Sequence, residues 1–178
     1  MTRNLNRGLK MQKATTSHLS RTIRANSLYQ RADEHWRQGR VRSAFRLFLA
    51  AAEAGSDAAS EIVGQFYDCG DGVKVDQDAA LHWYRKAYRR GSDSAANNIG
   101  CIWRDRREFQ RALLWFRRAV KLGDGDANLN IAKVYIRGSS GSKRAVYYLR
   151  ETLKSRNVTQ GSKEEARRLL KQLKSRNP

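Results

Sequence analysis

The sequence predicts an all-α chain, a solenoid of antiparallel helix-turn-helix hairpins closed by a C-terminal capping helix. Three observations carry this reading. Similar segments recur at intervals of roughly 35 residues. Each half-segment spaces its apolar residues at i, i+3, i+4 and i+7, the stripe of an amphipathic helix. Finally, Pro178 is the only proline of the 178 residues, so no proline breaks a helix from within.

Taken in order, residues 1–24 carry Arg3, Arg7, Lys10, Lys13, Arg21 and Arg24 among Ser, Thr and Asn, with no acid. This composition predicts a disordered basic arm; it is also the composition of a transit peptide. Four hairpin units follow, at about 25–56, 57–92, 93–124 and 125–157. Three of them open or continue alike, with Gly55-Ser56-Asp57-Ala58-Ala59, Gly91-Ser92-Asp93-Ser94-Ala95 and Gly123-Asp124-Gly125-Asp126-Ala127. A small residue comes nine positions after each first glycine (Gly64, Gly100, Ala132), and an aromatic three further on (Tyr67, Trp103, Tyr135). The second halves align through Ala80-Leu81-His82-Trp83-Tyr84-Arg85-Lys86-Ala87 and Ala112-Leu113-Leu114-Trp115-Phe116-Arg117-Arg118-Ala119. Fainter copies start at Ala44 and Ala145.

The spacing has a physical meaning. Small residues at Gly64, Gly100 and Ala132, facing Ala80, Ala112 and Ala145, let two helices approach closely, with Tyr67, Trp83 and Tyr84 filling the space beside them. Gly55, Gly91 and Gly123 fall where helix C-caps belong. Asp57 and Asp76 fall where N-caps belong. Ser155 to Gly161 reads as a polar linker. Ser162-Lys163-Glu164-Glu165 reads as a capping box opening a final helix, with Ser162 as N-cap, and residues 158–178 form the cap and tail that a solenoid needs to stay soluble.

The segment from Ala59 through Gly64, Tyr67, Gly70-Asp71-Gly72-Val73, Asp76 and Ala80–Ala87 to Gly91 resembles the Sel-one-like repeat, a relative of the tetratricopeptide repeat with a longer inter-helix loop. Residues 93–124 match in both helices but lack the Gly-x-Gly-Val loop, and so resemble a plain tetratricopeptide unit. The resemblance covers roughly residues 25–157. It implies an antiparallel helical solenoid with a concave face, a scaffolding or adaptor role, and no shared active site.

Charge is the strongest compositional signal. Thirty-six Lys and Arg against seventeen Asp and Glu give +19, and the excess is uneven: 57–93 holds seven acids and five bases, whereas 143–178 holds eleven bases and three acids. Such a balance speaks to partners rather than fold. Apolar residues are 40% of the chain, enough for a core. No run approaches eighteen apolar residues, so no membrane partner is expected; neither is a secretory leader. Cys69 and Cys101 have neither CxxC spacing nor histidine companions, which suits reduced thiols in a cytoplasmic setting.

Catalytic and metal chemistry find no support. His18, His35 and His82 lie in separate segments without ligand spacing. His82 shares its repeat position with Leu114 and Tyr147, which predicts a packed helix histidine. Gly70-Asp71-Gly72 and Gly138-Ser139-Ser140-Gly141 lack the glycine spacing and lysine of a phosphate loop. No enzyme activity and no cofactor are expected.

Binding is the better-supported role. In tetratricopeptide-like stacks the first helices line the groove. The groove candidates are therefore Glu61 and Gln65, then Asn97, Asn98 and Cys101, then Asn130, Lys133 and Arg137. Asparagine amides can donate and accept to a peptide backbone at once, and Lys133 with Arg137 can grip a carboxylate. On the second helices, Arg85, Arg117 and Arg150 share one repeat position and Arg89, Lys121 and Lys154 another, giving two basic rows. Against these stands ordinary solvation of an exposed helix face. Trp83, Trp115 and Tyr148 lie at core spacing, away from the basic face. The expectation is a monomeric, non-catalytic scaffold for an acidic protein or extended peptide. The alternative is a nucleic-acid-associated protein using the basic arm and rows.

Overall fold

The computed structural model describes the backbone of residues 2–138 and 142–176. Among these residues it holds helices and connecting loops without a strand. The helices are α1 (Thr2–Arg37), α2 (Val41–Glu53), α3 (Asp57–Cys69), α4 (Gln77–Tyr88), α5 (Asp93–Asp105), α6 (Phe109–Leu122), α7 (Asp126–Arg137), α8 (Ser142–Lys154) and α9 (Gln160–Arg176). The chain divides into two compact units, Met1–Ala87 and Tyr88–Pro178.

In the first unit α2 packs on α1 and on α3. Phe45, Phe48 and Phe66 lie at its centre, with the small residues Ala44, Ala51, Ala52 and Ala59 between the helices. Trp36 meets Phe66 edge-on at 5.3 Å, and Phe45 meets Tyr67 in the same manner at 5.3 Å. The α3–α4 hairpin closes on Gly64. A Cβ there would fall 2.6 Å from Cδ1 of Tyr84, so the ring of Tyr84 takes the space that a side chain would need. The Lys86 ammonium donates to the Ala52 carbonyl at 2.6 Å, tying α4 to the C-terminal end of α2.

The first helix, α1, runs from Thr2 through the basic N-terminal stretch. Buried Ala25 and Ala32 hold its later half against the unit. Once a helix is nucleated, each further residue adds a hydrogen bond, and no proline intervenes here.

In the second unit consecutive helices from α5 to α9 pack as antiparallel neighbours, and α7 also touches α5 and α9. Gly100 repeats the device of Gly64: a Cβ there would lie 2.5 Å from Cδ1 of Phe116. Phe116, Leu113 and Ile131 form one core, and Leu129, Leu149 and Ala166 a second that seats α9.

The helix ends follow local chemistry, with two shifts from expectation. Gly55, Gly91 and Gly123 all have positive φ (104°, 97° and 115°), the left-handed geometry that glycine adopts without steric cost. Asp76 caps α4, its Oδ1 accepting from the N–H groups of Asp78 and Ala79. At α3, however, the cap is Ser56 rather than Asp57: its Oγ accepts from the Ala59 N–H at 3.2 Å, as Ser92 does from Ala95 at 3.0 Å. Asp57, one residue on, lies within the first turn, where its charge suits the positive helix end. Asp124 takes the serine's place in the third copy, accepting from Asp126 and Ala127. At α9 the cap is Thr159 rather than Ser162. The Thr159 Oγ1 accepts from the Ser162 N–H, and Asp126 Oδ1 accepts from both the N–H and the hydroxyl of Thr159. Asp126 thus fixes where α9 begins, earlier than the expected linker allows.

Candidate functional site

The helices α5, α7 and α9 bring the second unit's groove residues together. Asn97, Cys101 and Arg104 follow one another on α5 at spacings of four and three, and Asn130, Lys133 and Arg137 on α7 at three and four, so each trio shares a helix face. The Asn130 amide nitrogen donates to Asn97 Oδ1 at 2.9 Å and lies 3.9 Å from Cys101 Sγ. Asn130 Oδ1 accepts from Arg104 Nη1 at 3.2 Å. Arg104 Nε donates in turn to Asp105 at 2.9 Å. Burial works against the Arg104 charge, but the hydrogen bond of Asp105, the neighbouring Cys101 and the Asp105 charge together outweigh it and raise the guanidinium's pKa.

Further along the same face of α7, Lys133 Nζ meets Glu165 Oε2 of α9 at 2.7 Å, and Arg168 approaches Glu165 Oε1 at 3.4 Å. Between the three helices lies a cavity of about 430 Å³, lined by Arg104, Asp105, Lys133, Ile136, Arg137, Glu165 and Leu169. It offers Arg137, Arg104 and Lys133 (the last two already paired with Asp105 and Glu165) and the apolar Ile136 and Leu169, while the Asn97 and Asn130 amides are held beside it through Arg104. That chemistry suits a carboxylate beside an aliphatic side chain.

Of the sequence candidates, Asn97, Cys101 and Asn130 form the network, while Lys133 and Arg137 line the cavity. Asn98 is half-buried on α5 and is not among the residues of this network. Glu61 and Gln65 lie on α3 in the first unit. Arg104, Asp105, Ile136, Glu165 and Leu169 were missed. Arg104 continues the Asn97–Cys101 stripe one turn on, so extending the stripe would have found it. Glu165 was read only as the third residue of a capping box; nothing local connects it to Lys133.

The basic rows have a mixed placement. Arg85 is half-buried on α4 in the first unit, whereas Arg89 is exposed in the second. Arg117 and Lys121 lie exposed on α6, and Arg150 and Lys154 exposed on α8, with Lys154 2.8 Å from Glu151. Trp83, Trp115 and Tyr148 pack against the core as their spacing predicts, and Tyr135 in addition stands beside the row cation Arg117. Arg117 donates to the Tyr135 hydroxyl at 3.0 Å. Hydrogen bonding by Tyr148, then the charge and hydrogen bond of Tyr135, lift the guanidinium's pKa in spite of burial. Arg144 lies over the Tyr135 ring at 5.6 Å, and Arg118 over Trp115 at 4.4 Å. His82 corrects the sequence reading. It is exposed rather than packed, as are its repeat equivalents Leu114 (48%) and Tyr147 (58%). The shared position faces solvent, and His82 only lays its ring against the neighbouring Trp83 at 5.4 Å.

Neither cysteine is in a disulfide. Burial, then the nearby Asp68 and Asp71, push the Cys69 thiol above its ordinary pKa, which suppresses the nucleophilic thiolate. Among the described residues no three His, Cys, Asp or Glu gather as a metal site, and no helix is long and apolar enough to cross a membrane. The stretch Ser139–Gly141 of the second glycine-containing loop lies outside the described residues.

The Sel1 repeat family matches residues 41–56 and 59–92, and the tetratricopeptide repeat family matches residues 94–123. No curated protein matches the chain in sequence. Among solved structures, a Sel1 repeat protein from Oxalobacter formigenes is 25% identical with a TM-score of 0.61, over 73% of this chain and 58% of that one. A protective antigen present in uropathogenic Escherichia coli strains, displaying an SLR fold, is 22% identical with a TM-score of 0.65, over 73% of this chain and 30% of that one. MamA is 17% identical with a TM-score of 0.61, over 81% of each chain. The chain therefore spans less than two thirds of the first two. Repeats of these families generally mediate protein–protein interaction and are typically non-catalytic. With its paired helices the chain is an all-α solenoid, and the stretch 41–123 carries repeats similar to the Sel1 and tetratricopeptide families.

Proposed function

We propose that the protein is a non-catalytic, monomeric scaffold that holds an acidic protein or extended acidic peptide in the groove between α5, α7 and α9. The observation that carries this reading is the Asn97–Asn130–Arg104 network beside Lys133 and Arg137. Groups already fixed by hydrogen bonds lose little entropy when a partner arrives, which is how a preformed groove gains affinity. The partner's backbone would take the remaining amide valences, one of its carboxylates would meet Arg137, and an aliphatic side chain would rest on Ile136 and Leu169. The +19 charge would speed encounter with an acidic surface. Two cysteines outside any disulfide agree with a reducing compartment such as the cytoplasm.

The test is fluorescence anisotropy of a labelled peptide of alternating Glu and Leu against the full chain. Arg137→Gln, at an exposed position, should weaken binding about five- to tenfold, as expected for a charge-assisted contact of about 1–1.5 kcal/mol. Asn130→Ala should weaken it further by releasing Asn97 and Arg104. Affinity that ignores both changes, or that is equal at low and high salt, refutes the proposal.

A further inference from the structure

A second cavity, of about 450 Å³, opens between α6, α7 and α8 and is lined by Arg117, Tyr135, Lys143, Arg144, Tyr147 and Tyr148. It is separate from the groove. Lys133 and Tyr135 are two residues apart on α7, hence about 200° around the helix, and so point to opposite sides. Three cations and three tyrosines line it without a carboxylate. The tyrosines have a definite arrangement. Tyr135 and Tyr148 stack with centroids 5.9 Å apart and planes 15° from parallel. Tyr147 stands edge-on to Tyr148 at 5.1 Å and 82°, and is 58% exposed. Arg117 and Arg144 hold Tyr135 from its hydroxyl and its face. Tyr135 and Tyr148 are thus engaged with each other and with the arginines, whereas the Tyr147 ring keeps an open face.

An open aromatic face beside uncompensated cations is the arrangement that single-stranded nucleic acid uses: a base stacks on the ring while the flanking phosphates meet Lys and Arg. A purely acidic peptide would use the cations and leave Tyr147 idle. Duplex would offer phosphates but no free base face. We infer that this cavity is a stacking site for one nucleotide of a single-stranded nucleic acid, with Tyr147 under the base and Arg117, Lys143 and Arg144 toward the phosphates. The exposure of Tyr147 follows from its repeat position, at which His82 and Leu114 also face solvent, and in this copy the aromatic at that position meets a basic cavity. The inference does not rest on the groove reading, and the residues of the two sites do not overlap.

The experiment titrates the full chain into fluorescein-labelled oligouridine of about twelve nucleotides, within the span of known single-strand sites. An abasic oligomer of equal length and charge runs beside it. The base-bearing oligomer should bind about tenfold more tightly than the abasic one. Tyr147→Ala should erase that difference and Tyr147→Phe should keep it, since the ring and not the hydroxyl does the stacking. Lys143→Gln combined with Arg144→Gln should weaken both oligomers and lower the slope of log affinity on log salt by about 1.4, two phosphate contacts at ~0.7 each. Equal binding of abasic and base-bearing oligomers overturns the inference. So does a Tyr147→Ala chain that still discriminates them, or a phosphotyrosine peptide that binds more tightly than the oligomer. Thermal melting of each variant verifies that the fold is intact.

Discussion

Lys133 on α7 and Glu165 on α9 lie 2.7 Å apart, so the carboxylate at this end of the groove comes from the chain's own capping helix. Their side chains are 34% and 32% exposed, and an ion pair that open to water contributes at most about 1 kcal/mol. It is a contact that an acidic partner can replace at little cost. Glu165 then occupies the position that a partner's carboxylate would take, and competes with it.

Replacing Glu165 by Gln should therefore improve binding while barely touching the fold. We expect Glu165→Gln to stay within about 1 kcal/mol of the parent in urea denaturation. Its affinity for a Glu/Leu peptide should rise about threefold, with a steeper loss on adding salt because Lys133 gains a free charge. Anisotropy at two salt concentrations decides the matter; an affinity that falls would mean that Glu165 supports the groove rather than competing for it.

The hairpins were legible in the sequence because close approach leaves a local signature. Gly64 and Gly100 must be small, since the rings of Tyr84 and Phe116 occupy the volume a Cβ would need. The stripe that gathers Asn97 with Cys101, and Asn130 with Lys133 and Arg137, is likewise set by helical spacing alone. What stayed hidden depends on how distant segments meet. Glu165 reaches Lys133 only because α9 folds back on α7, and Asp126 sets the start of α9 across 33 residues. Adjacent Ser and Asp are both good caps by composition, so only geometry chose Ser56 over Asp57. The solvent-facing position of His82, Leu114 and Tyr147 was misread for a related reason. An apolar residue at helical spacing looks like core until the neighbouring helix proves to lie elsewhere.

The loop between α5 and α6 carries a conformational cost that one substitution should remove. Arg107 has φ of 61°, while the α1–α2 loop solves the same turn with Gly39 at 70°. The hydrogen bonds correspond: Gly39 N–H to Trp36 O and Arg40 N–H to His35 O in one, Arg107 N–H to Arg104 O and Glu108 N–H to Trp103 O in the other. A non-glycine residue in the left-handed region costs about 1–2 kcal/mol, part of which glycine gives back through its freer unfolded chain. Arg107→Gly should thus stabilise the protein by about 0.5–1 kcal/mol, read as a higher urea midpoint at unchanged slope. A lower midpoint would show that the exposed Arg107 side chain contributes more than its backbone costs.

Asp124 gives the clearest pH signature. Its Oδ1 accepts from the N–H groups of Asp126 and Ala127 at 2.8 and 3.2 Å, the capping role that Ser56 and Ser92 fill elsewhere. Burial pushes its carboxyl above the ordinary 3.8. The two backbone bonds pull it back, and the charges of Asp126 and Asp93 push it up again, for a net rise. A folded-state pKa above the unfolded one means that the folded chain binds the proton more tightly. The stabilisation is then full below pH 3.8 and lost as pH rises through the folded-state value. At neutral pH the carboxylate keeps the caps but carries an unrelieved desolvation cost. Asp124→Asn keeps an accepting oxygen in the same place without the charge. We expect it to exceed the parent slightly at pH 7, a small gain because the half-buried site is partly screened by water. That advantage should shrink on acidification toward pH 4, as the parent's own carboxyl takes up its proton. Asp124→Ala, which has no acceptor, should instead lose about 1 kcal/mol at either pH. Denaturation midpoints of the three chains across this range test the argument, and an asparagine advantage that grew with acidity would reverse the assigned sign.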